Sequence, residues 1–568
     1  MIKAKRGKTH SVVAWRCLSC ALWLSLWLVV GVARSQTCNQ LLLSALEQER
    51  VEGHPILCDT TDHRFCLVAI SPDEKVVFGN SSSVEKTFQL NDTLTETLTI
   101  QLTSLPVVHI QSAEISTDFS HGRLSFYDPS SSEPLTFDVD VRWRGATTLS
   151  RPKKSYAVKL MDETGEKVNH SFFGLRNDNS WILDAMSIDK ARMRNRISTD
   201  LWNDFSTPSY IKAIEPTALN GTRGGFVEVF YNHRYQGVYC MTEKIDRKQL
   251  QLRKFKGEQM RGVLYKTKTW NSLVASADVP SNAQSVWNGV EISYPNLEEG
   301  EPVDWSPLLQ TMDFLTHSST STLRRELPQR IDLDVWRDYF LFIELLLAED
   351  NDSKNQCVYF YDATDSTSLF GIAPWDLDHS WGRDYLGRAL DAEKVFPLYN
   401  RVNTCLRYYY GVTNYVKERY AELRTNYLSI DSLQERFHSV FQLYRDNHVD
   451  EREELRWNGL DDIVLDFDAE EAYIQQWIVA RLAYLDSKYG FDDSPFSSIE
   501  TTNKISTPYS ITISKEALCV KAQSPFCLRI TTLQGRSVCQ KQMQADESLD
   551  ISLPSGVYLV NTTKVVIP

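Results

Sequence analysis

The sequence predicts an α+β protein whose mixed core is flanked by small β domains at both ends. Three observations carry this. Residues from about 136 to 160 alternate apolar and polar side chains with the period of a strand. Residues from about 410 to 490 show the wider apolar spacing of helices. Both ends are short apolar stretches punctuated by Gly, Asn, Asp and Ser, as in strands joined by tight turns. A chain of 568 residues has room for two to four domains.

The chain begins with a targeting signal. "MIKAKRGKTHSVVAWR" carries Lys3, Lys5, Arg6, Lys8 and Arg16 and no acid, and an apolar run from Cys17 to Ala33 follows. Small residues at Ala33 and Ser35 fit a signal peptidase site, so residues 1–35 are expected to be removed on export. The alternative is an uncleaved anchor, because the run approaches membrane-spanning length. Cleavage removes six basic residues and no acidic one, taking the formal net charge from -13 to near -19. So acidic a chain excludes nucleic acid as a natural partner and suits cationic or metal-bound ligands. Nine cysteines remain, an odd number, with clusters at Cys38, Cys58 and Cys66 and at Cys519, Cys527 and Cys539 that make local disulfides plausible in an exported protein. No Cys/His cluster points to zinc.

Residues 36–104 read as a small β region built from pieces such as "CLVAI" and "LTIQL". The core follows. "TFDVDVRWRG" places Phe137, Val139, Val141 and Trp143 on one face of a strand. "SYAVKL" puts Tyr156, Val158 and Leu160 on one face and Lys159 on the other. "SIDKARMRNRISTDLWNDF" reads as a helix, with Arg192, Arg194 and Arg196 either on a solvated face or available to phosphates. "GGFVEVFYNHRYQGVYCMTEKID" reads as a hairpin. The segment from about Leu333 to Glu349 is dense enough for a buried helix, and "QCVYFYDA" and "SLFGIAPW" follow as strands. In "FDAEEAYIQQWIVARLAYLDSKYG", Asp468 and Glu471 have capping-box spacing and Gly490 closes the helix. Residues 491–508 form a polar linker, and 509–568 a separate β unit.

The acidic residues gather at two places. The buried helix runs into "EDNDSKN", residues 349–355, and the second strand after it delivers Asp376 and Asp378. Antiparallel pairing of the two strands would bring Asp352 and Asn355 near Asp376. Asp, Asn and Asp are hard oxygen ligands suited to magnesium with phosphate, and a spare aspartate could take a proton from a hydroxyl. Lys159 is the candidate cation for phosphate oxygens. Spacing alone does not choose between Asp350, five residues before Asn355, and Asp352, three before it. The same acids would also serve a hydrolase acting on phosphate or glycan. There is no Walker loop, GxSxG or HExxH motif.

Six blocks, in order, resemble the CotH-type kinase family over about Leu105 to Tyr489: "SLPVVHI", "VRWRGATTLSRPKKSYAVKL", "WILDAMSIDKARMRNRISTDLW", "YNHRYQGVYCMTEKID", "NDSKNQCVYFYD" and "GIAPWDLDHSWG". The resemblance implies a diverged protein-kinase-like core that uses magnesium and ATP to phosphorylate a protein substrate, basic proteins being among the candidates. It implies Lys159, Arg144 and Glu243 at the nucleotide, Asp352 as the catalytic-loop aspartate, and Asn355, Asp376 and Asp378 at the metal. Two positions depart from the family pattern: Ala146 after "RG", and His233 in the hairpin turn. A non-catalytic surface or structural protein on the same scaffold is the alternative. The last 60 residues, with "LRITTLQGRSV" and "LDISLPSGVYLV", resemble the C-terminal sorting domain of type IX secretion cargo. This implies handling by that secretion machinery and a secreted or outer-surface location in a Bacteroidetes-like cell, with phosphorylation in the periplasm as another possibility.

Overall fold

The computed structural model describes residues 39–567 except residue 80 and the stretches 257–258, 275–284, 297–302, 412–413, 461–462, 493–508, 514–517, 533–536, 554–555 and 562. The targeting segment and nearly all of the 491–508 linker lie outside the described residues. Helices and strands are mixed throughout, as an α+β class requires. Among the described residues no helix is long and apolar enough to cross a membrane.

Seven strands close into a barrel. Their order around it is Ser155–Met161, Ser180–Asp184, Arg234–Thr242, Gly224–Tyr231, Val107–Ser112, Ser120–Tyr127 and Leu135–Arg144, which pairs back with the first. All neighbours are antiparallel except Val107–Ser112 beside Gly224–Tyr231. Strand alternation fills the interior: Val139, Val141, Tyr156, Val158, Leu160 and Trp181 are almost fully buried. Lys159 therefore points outward.

The hairpin between Gly224–Tyr231 and Arg234–Thr242 turns at Asn232 and His233, with φ of 46° and 56°. Two left-handed central residues match the twist of the flanking strands. His233 is held there by its backbone N–H, which donates to Nε2 of buried His109, and by its ring, 4.4 Å edge-on from that of His109. Gly237 has φ +88°, and a Cβ there would lie 1.9 Å from Oε1 of Glu453. Only glycine allows both that backbone and that approach.

The second half pairs a five-stranded sheet with helices. The sheet order is Val286–Trp287, Val290–Tyr294, Val263–Thr267, Gln356–Phe360 and Gly371–Pro374. Helix Leu333–Leu346 is buried on almost every side, as its apolar density predicts. It ends earlier than the expected Glu349, because Leu347 turns left-handed at φ 51°, and Glu349–Asn351 form a tight 3-10 turn. Helices Asn414–Asn426, Ile430–Asp446, Val449–Trp457 and Phe467–Tyr489 pack into the same core. Gly490 closes the last of these at φ +67°. Its N-cap is Asp466, which accepts from the Ala469 N–H, while Asp468 is already helical and binds Arg445.

The helix expected across 187–205 starts only at Arg194. Before it the chain folds around Asp189, whose carboxylate accepts the backbone N–H of Ala191, Met193 and Arg194. At the N-terminal end, residues 39–48 form a helix over a four-stranded sheet, and a disulfide joins Cys58 to Cys66. At the C-terminal end, sheets of three and four strands enclose Leu518, Leu528, Ile530 and Val560. Cys519, Cys527 and Cys539 stay free there; Cys519 is on one sheet and the other two on the other, so the local bridges plausible from their clustering do not form.

Candidate functional site

A small cleft opens where the barrel meets the second sheet. One wall comes from the barrel and the segments attached to it: Arg144, Asp184, Asn195, Thr242 and Glu243. The other is the turn after strand Gly371–Pro374, with Trp375 and Asp376. The antiparallel pair Gln356–Phe360 and Gly371–Pro374 sets Gln356 opposite Pro374, so Asn355 and Trp375 follow from adjacent strand ends. The Asn351 amide donates to the carbonyl of Trp375 at 2.8 Å and ties the two turns together. Asn355 and Asp376 both have left-handed backbones, with φ of 55° and 61°. Non-glycine residues held there cost about 1–3 kcal/mol each and cluster at functional sites.

Asp376 reaches solvent at the cleft mouth but is crowded by protein. Burial, together with the negative charge of Asp184 and Asp350, raises its carboxyl above the ordinary range, against the pull of His379 and Arg144. Asp378 is raised to about 7 by burial, Asp376, Asp184 and Asp189, although His379 opposes the shift. His379 lies between the two acidic turns. Its Nδ1 is 3.2 Å from Oδ2 of Asp350 and its Nε2 is 3.6 Å from Oδ1 of Asp378. Burial disfavours its charge, but those carboxylates prevail and raise it to about 9.

Asp350 belongs to this cluster. Its Oδ2 accepts from Lys354 Nζ at 2.8 Å and from the Asn355 amide at 3.5 Å. Burial works against its ionisation, yet His379 and Lys354 keep its carboxyl below the usual range. Asp352 is not brought to the cleft. It is fully buried, and its oxygens accept from the backbone N–H of Tyr399 and Asn400 and from the Asn403 amide. That arrangement anchors the 399–403 segment, and it leaves Asp350 as the aspartate beside Asn355.

Of the residues expected at the nucleotide, Arg144 and Glu243 line the cleft. Glu243 is buried and accepts from the backbone N–H of Arg176 and Arg223, the Arg223 guanidinium and the Gln249 amide. Burial opposes its charge, but Arg223 and those donors keep its carboxyl low. Lys159 sits on the outer face of its strand with Nζ 3.9 Å from the centre of the Phe119 ring. It is not among the residues lining the cleft. The three arginines of the "ARMRNR" stretch are buried in ion pairs, and of them Arg196 lines the cleft. Arg192 binds Glu453, Arg194 binds Asp189 and Glu470, and Arg196 binds Asp200.

Sequence reasoning passed over Asp184, which accepts from Ser155 and the Asn195 amide. Its only signal was an acid at a strand end. His379, the residue after Asp378, gave no signal beyond its place in the motif. The signal for Asp350 was its five-residue spacing to Asn355.

The donor set fits a hard cation. Oδ1 of Asp350 is buried without a hydrogen-bond partner, which is costly for a carboxylate oxygen unless a cation or donor meets it, and Oδ1 of Asp378 has only His379 Nε2, 3.6 Å away. Among the described residues no three His, Cys, Asp or Glu side chains already form a metal cage. Magnesium shared with phosphate oxygens requires only one or two carboxylates.

Comparison with known proteins adds a family. The model of the CotH kinase protein family matches residues 141–485, more than half of the chain. Over 259 residues the chain is 24% identical to the inner spore coat protein H of Bacillus subtilis (strain 168), a match covering 45% of this chain and 63% of that protein. The matched region thus begins in the third barrel strand and ends in the last long helix.

Proposed function

This chain belongs to the CotH kinase protein family, and from that premise we propose that it is an exported, magnesium-dependent kinase that transfers the γ-phosphate of ATP to hydroxyl groups of a protein. The observation that carries the reading is the unpartnered Oδ1 of Asp350 in a cluster with Asn355 and His379, next to Asp376, which lines the cleft with Arg144. Asp376 and Asn355 would hold magnesium, which neutralises charge on the phosphate oxygens. Asp350 is the base. Its Oδ1 takes the proton of the acceptor hydroxyl while the hydroxyl oxygen bonds to the γ-phosphorus and the bond from that phosphorus to the β,γ-bridging oxygen breaks, releasing ADP. Lys354 and His379 hold Asp350 in place through Oδ2, leaving Oδ1 for the proton. Asn351 fixes the distance between the two turns. A non-catalytic role on the same scaffold draws on one observation, the seat of Lys159 on Phe119 away from the cleft lining. The C-terminal β unit is read as the sorting element for type IX secretion, supported by the strand motifs it contains.

The test is incubation of the purified chain with γ-labelled ATP, magnesium and a mixture of basic and neutral Ser-containing proteins. Label on protein hydroxyls, lost with Asp376→Asn, is the expected result. No transfer and no nucleotide-dependent thermal shift would overturn the reading. Phosphate release without a nucleotide would move the assignment to a hydrolase.

A further inference from the structure

We propose that the exposed rings of Trp270 and Tyr399, beside the acidic turn, form the surface that docks the acceptor protein and selects an apolar or aromatic side chain close to the hydroxyl that receives phosphate. This rests on the kinase reading and adds to it the determinant of acceptor choice.

Each ring hangs from one end of the acidic turn. Strand Val263–Thr267 leads into Trp270, and its last residue is tied to the turn: the Thr267 carbonyl accepts the Asn355 N–H at 3.1 Å, and the Thr267 hydroxyl accepts the Gln356 N–H at 2.9 Å. Tyr399 donates its backbone N–H to the Asp352 carboxylate. The two rings meet edge to face, with centres 6.5 Å apart. Lys354, which holds Oδ2 of Asp350 at 2.8 Å, has its Nζ 5.7 Å from the centre of the Trp270 ring. Those two distances together are shorter than three residues of extended chain, at about 3.3–3.6 Å each. A peptide with its hydroxyl at Asp350 thus reaches Trp270 with a side chain two or three positions away.

The rings are exposed and yet firmly seated. Trp270 is 40% and Tyr399 48% exposed. The Trp270 turn is closed by the Ser272 N–H on the Thr269 carbonyl and by the Ser272 hydroxyl on the Gly289 carbonyl, and the carbonyl of buried Leu273 accepts the Arg401 N–H. Large rings held out on a fixed turn leave apolar area for a partner, and Trp and Tyr carry much of the binding energy at protein interfaces. Neither ring lines the cleft of Arg144 and Asp376, so the surface lies outside the place assigned to the nucleotide. The charges beside it are already matched, Lys354 with Asp350 and Lys394 with Glu349. Apolar contact is what remains to offer, and exposed Val395 extends it on the segment that leads to Tyr399. The 84° between the rings makes a corner, which suits an inserted side chain better than the flat face of a sugar.

The experiment incubates the full chain with γ-labelled ATP, magnesium and the mixed Ser-containing proteins, maps the labelled hydroxyls, and measures transfer to Ser peptides carrying Leu, Phe, Arg or Gly two or three positions from the serine. Labelled sites are expected to have an apolar or aromatic neighbour within three positions, and the Leu and Phe peptides a KM about tenfold below that of the Gly peptide. Trp270→Ala and Tyr399→Ala should each raise the KM of the Leu and Phe peptides toward that of the Gly peptide, with kcat and the KM for ATP unchanged. Trp270→Phe should restore most of the preference. The mapping on the unmodified chain is a test that needs no variant to fold. Transfer without an apolar preference, or a preference for Arg that Trp270→Ala leaves intact, overturns the inference while the kinase reading stands. A raised KM for ATP in Trp270→Ala assigns the ring to the nucleotide site and also overturns it. Label on glycan in place of protein hydroxyls does the same. No transfer to any of these acceptors removes the kinase reading and the inference together.

Discussion

Asp350 and Asp352 lie two residues apart and are expected to differ in what their replacement costs, activity first for Asp350 and stability first for Asp352. Asp352→Ala removes an acceptor that serves three donors, the N–H groups of Tyr399 and Asn400 and the Asn403 amide, at a side chain with no solvent exposure. Each buried donor left unpaired costs about 1–3 kcal/mol, and the costs add incompletely within one network. The expected loss of stability is therefore about 3–5 kcal/mol, seen as a lower urea midpoint. Asp350→Asn keeps the size and one oxygen of a side chain already held by Lys354 and His379. Its stability should fall by about 1–3 kcal/mol, because Lys354 and His379 lose a buried carboxylate partner, while phosphoryl transfer falls by about 10²–10⁴ through loss of the proton acceptor. The assay pairs urea unfolding with transfer of labelled phosphate at saturating ATP. Full transfer activity in Asp350→Asn would refute the assignment of the base. So would an Asp352→Ala chain that is as stable as the parent and inactive.

Asp376→Asn is expected to abolish the dependence of ATP affinity on magnesium, measured by titration with and without the metal, while the fold survives because the side chain reaches solvent. Glu453→Ala leaves Lys153, Arg192 and the Val238 N–H without the carboxylate they share, and a loss of about 3–5 kcal/mol is expected in urea unfolding. His109 is lowered to about 3 by burial and by the charge of His233. The unfolded chain therefore takes up this proton first, and stability drops as pH falls below the ordinary histidine value. The loss is about 2 kcal/mol near pH ~5, and His109→Gln, which keeps an acceptor for the His233 N–H, should remove that share of the acid sensitivity. His379→Leu should lower kcat for transfer while leaving the KM for ATP unchanged, and His379→Asn, which can still donate to Asp350, should recover part of kcat.

The strands of the core were legible because alternation is a local property. "TFDVDVRWRG", "SYAVKL" and the hairpin all form where the pattern puts them. Closure of seven strands into a barrel was not legible, because it depends on pairing Leu135–Arg144 with Ser155–Met161 while Val107–Ser112 runs parallel to Gly224–Tyr231. The fate of the three arginines was hidden for the same reason: Arg192 finds Glu453 and Arg194 finds Glu470, both far along the chain. The acidic turn shows a finer limit. In a 3-10 turn each residue advances by about 120°, so Asp350 and Asp352 cannot face the same way. Spacing named both, the resemblance favoured Asp352, and only the folded turn shows that Asp350 shares a hydrogen-bonded cluster with His379 and Asn355.

The cleft walls are held at their base by bonds that cross between the two halves. The Asn195 amide donates to Asp184 on the barrel side, and its carbonyl accepts the Leu377 N–H on the other, so one side chain sets the gap beside Asp376. Arg194 spans the same gap through the Ser380 carbonyl and Glu470. Lys153 and Arg192 meet at Glu453, against the hairpin at Gly237. These partners are buried and mutually satisfied, so loosening any one leaves a charge without a counterion. Nearer Asp376 the pattern changes: Arg144, which lines the cleft, has no carboxylate partner among the described residues, and Oδ1 of Asp350 is buried without a hydrogen-bond partner. The unmet electrostatic demand thus collects around Asp376, where the proposed metal and nucleotide would sit.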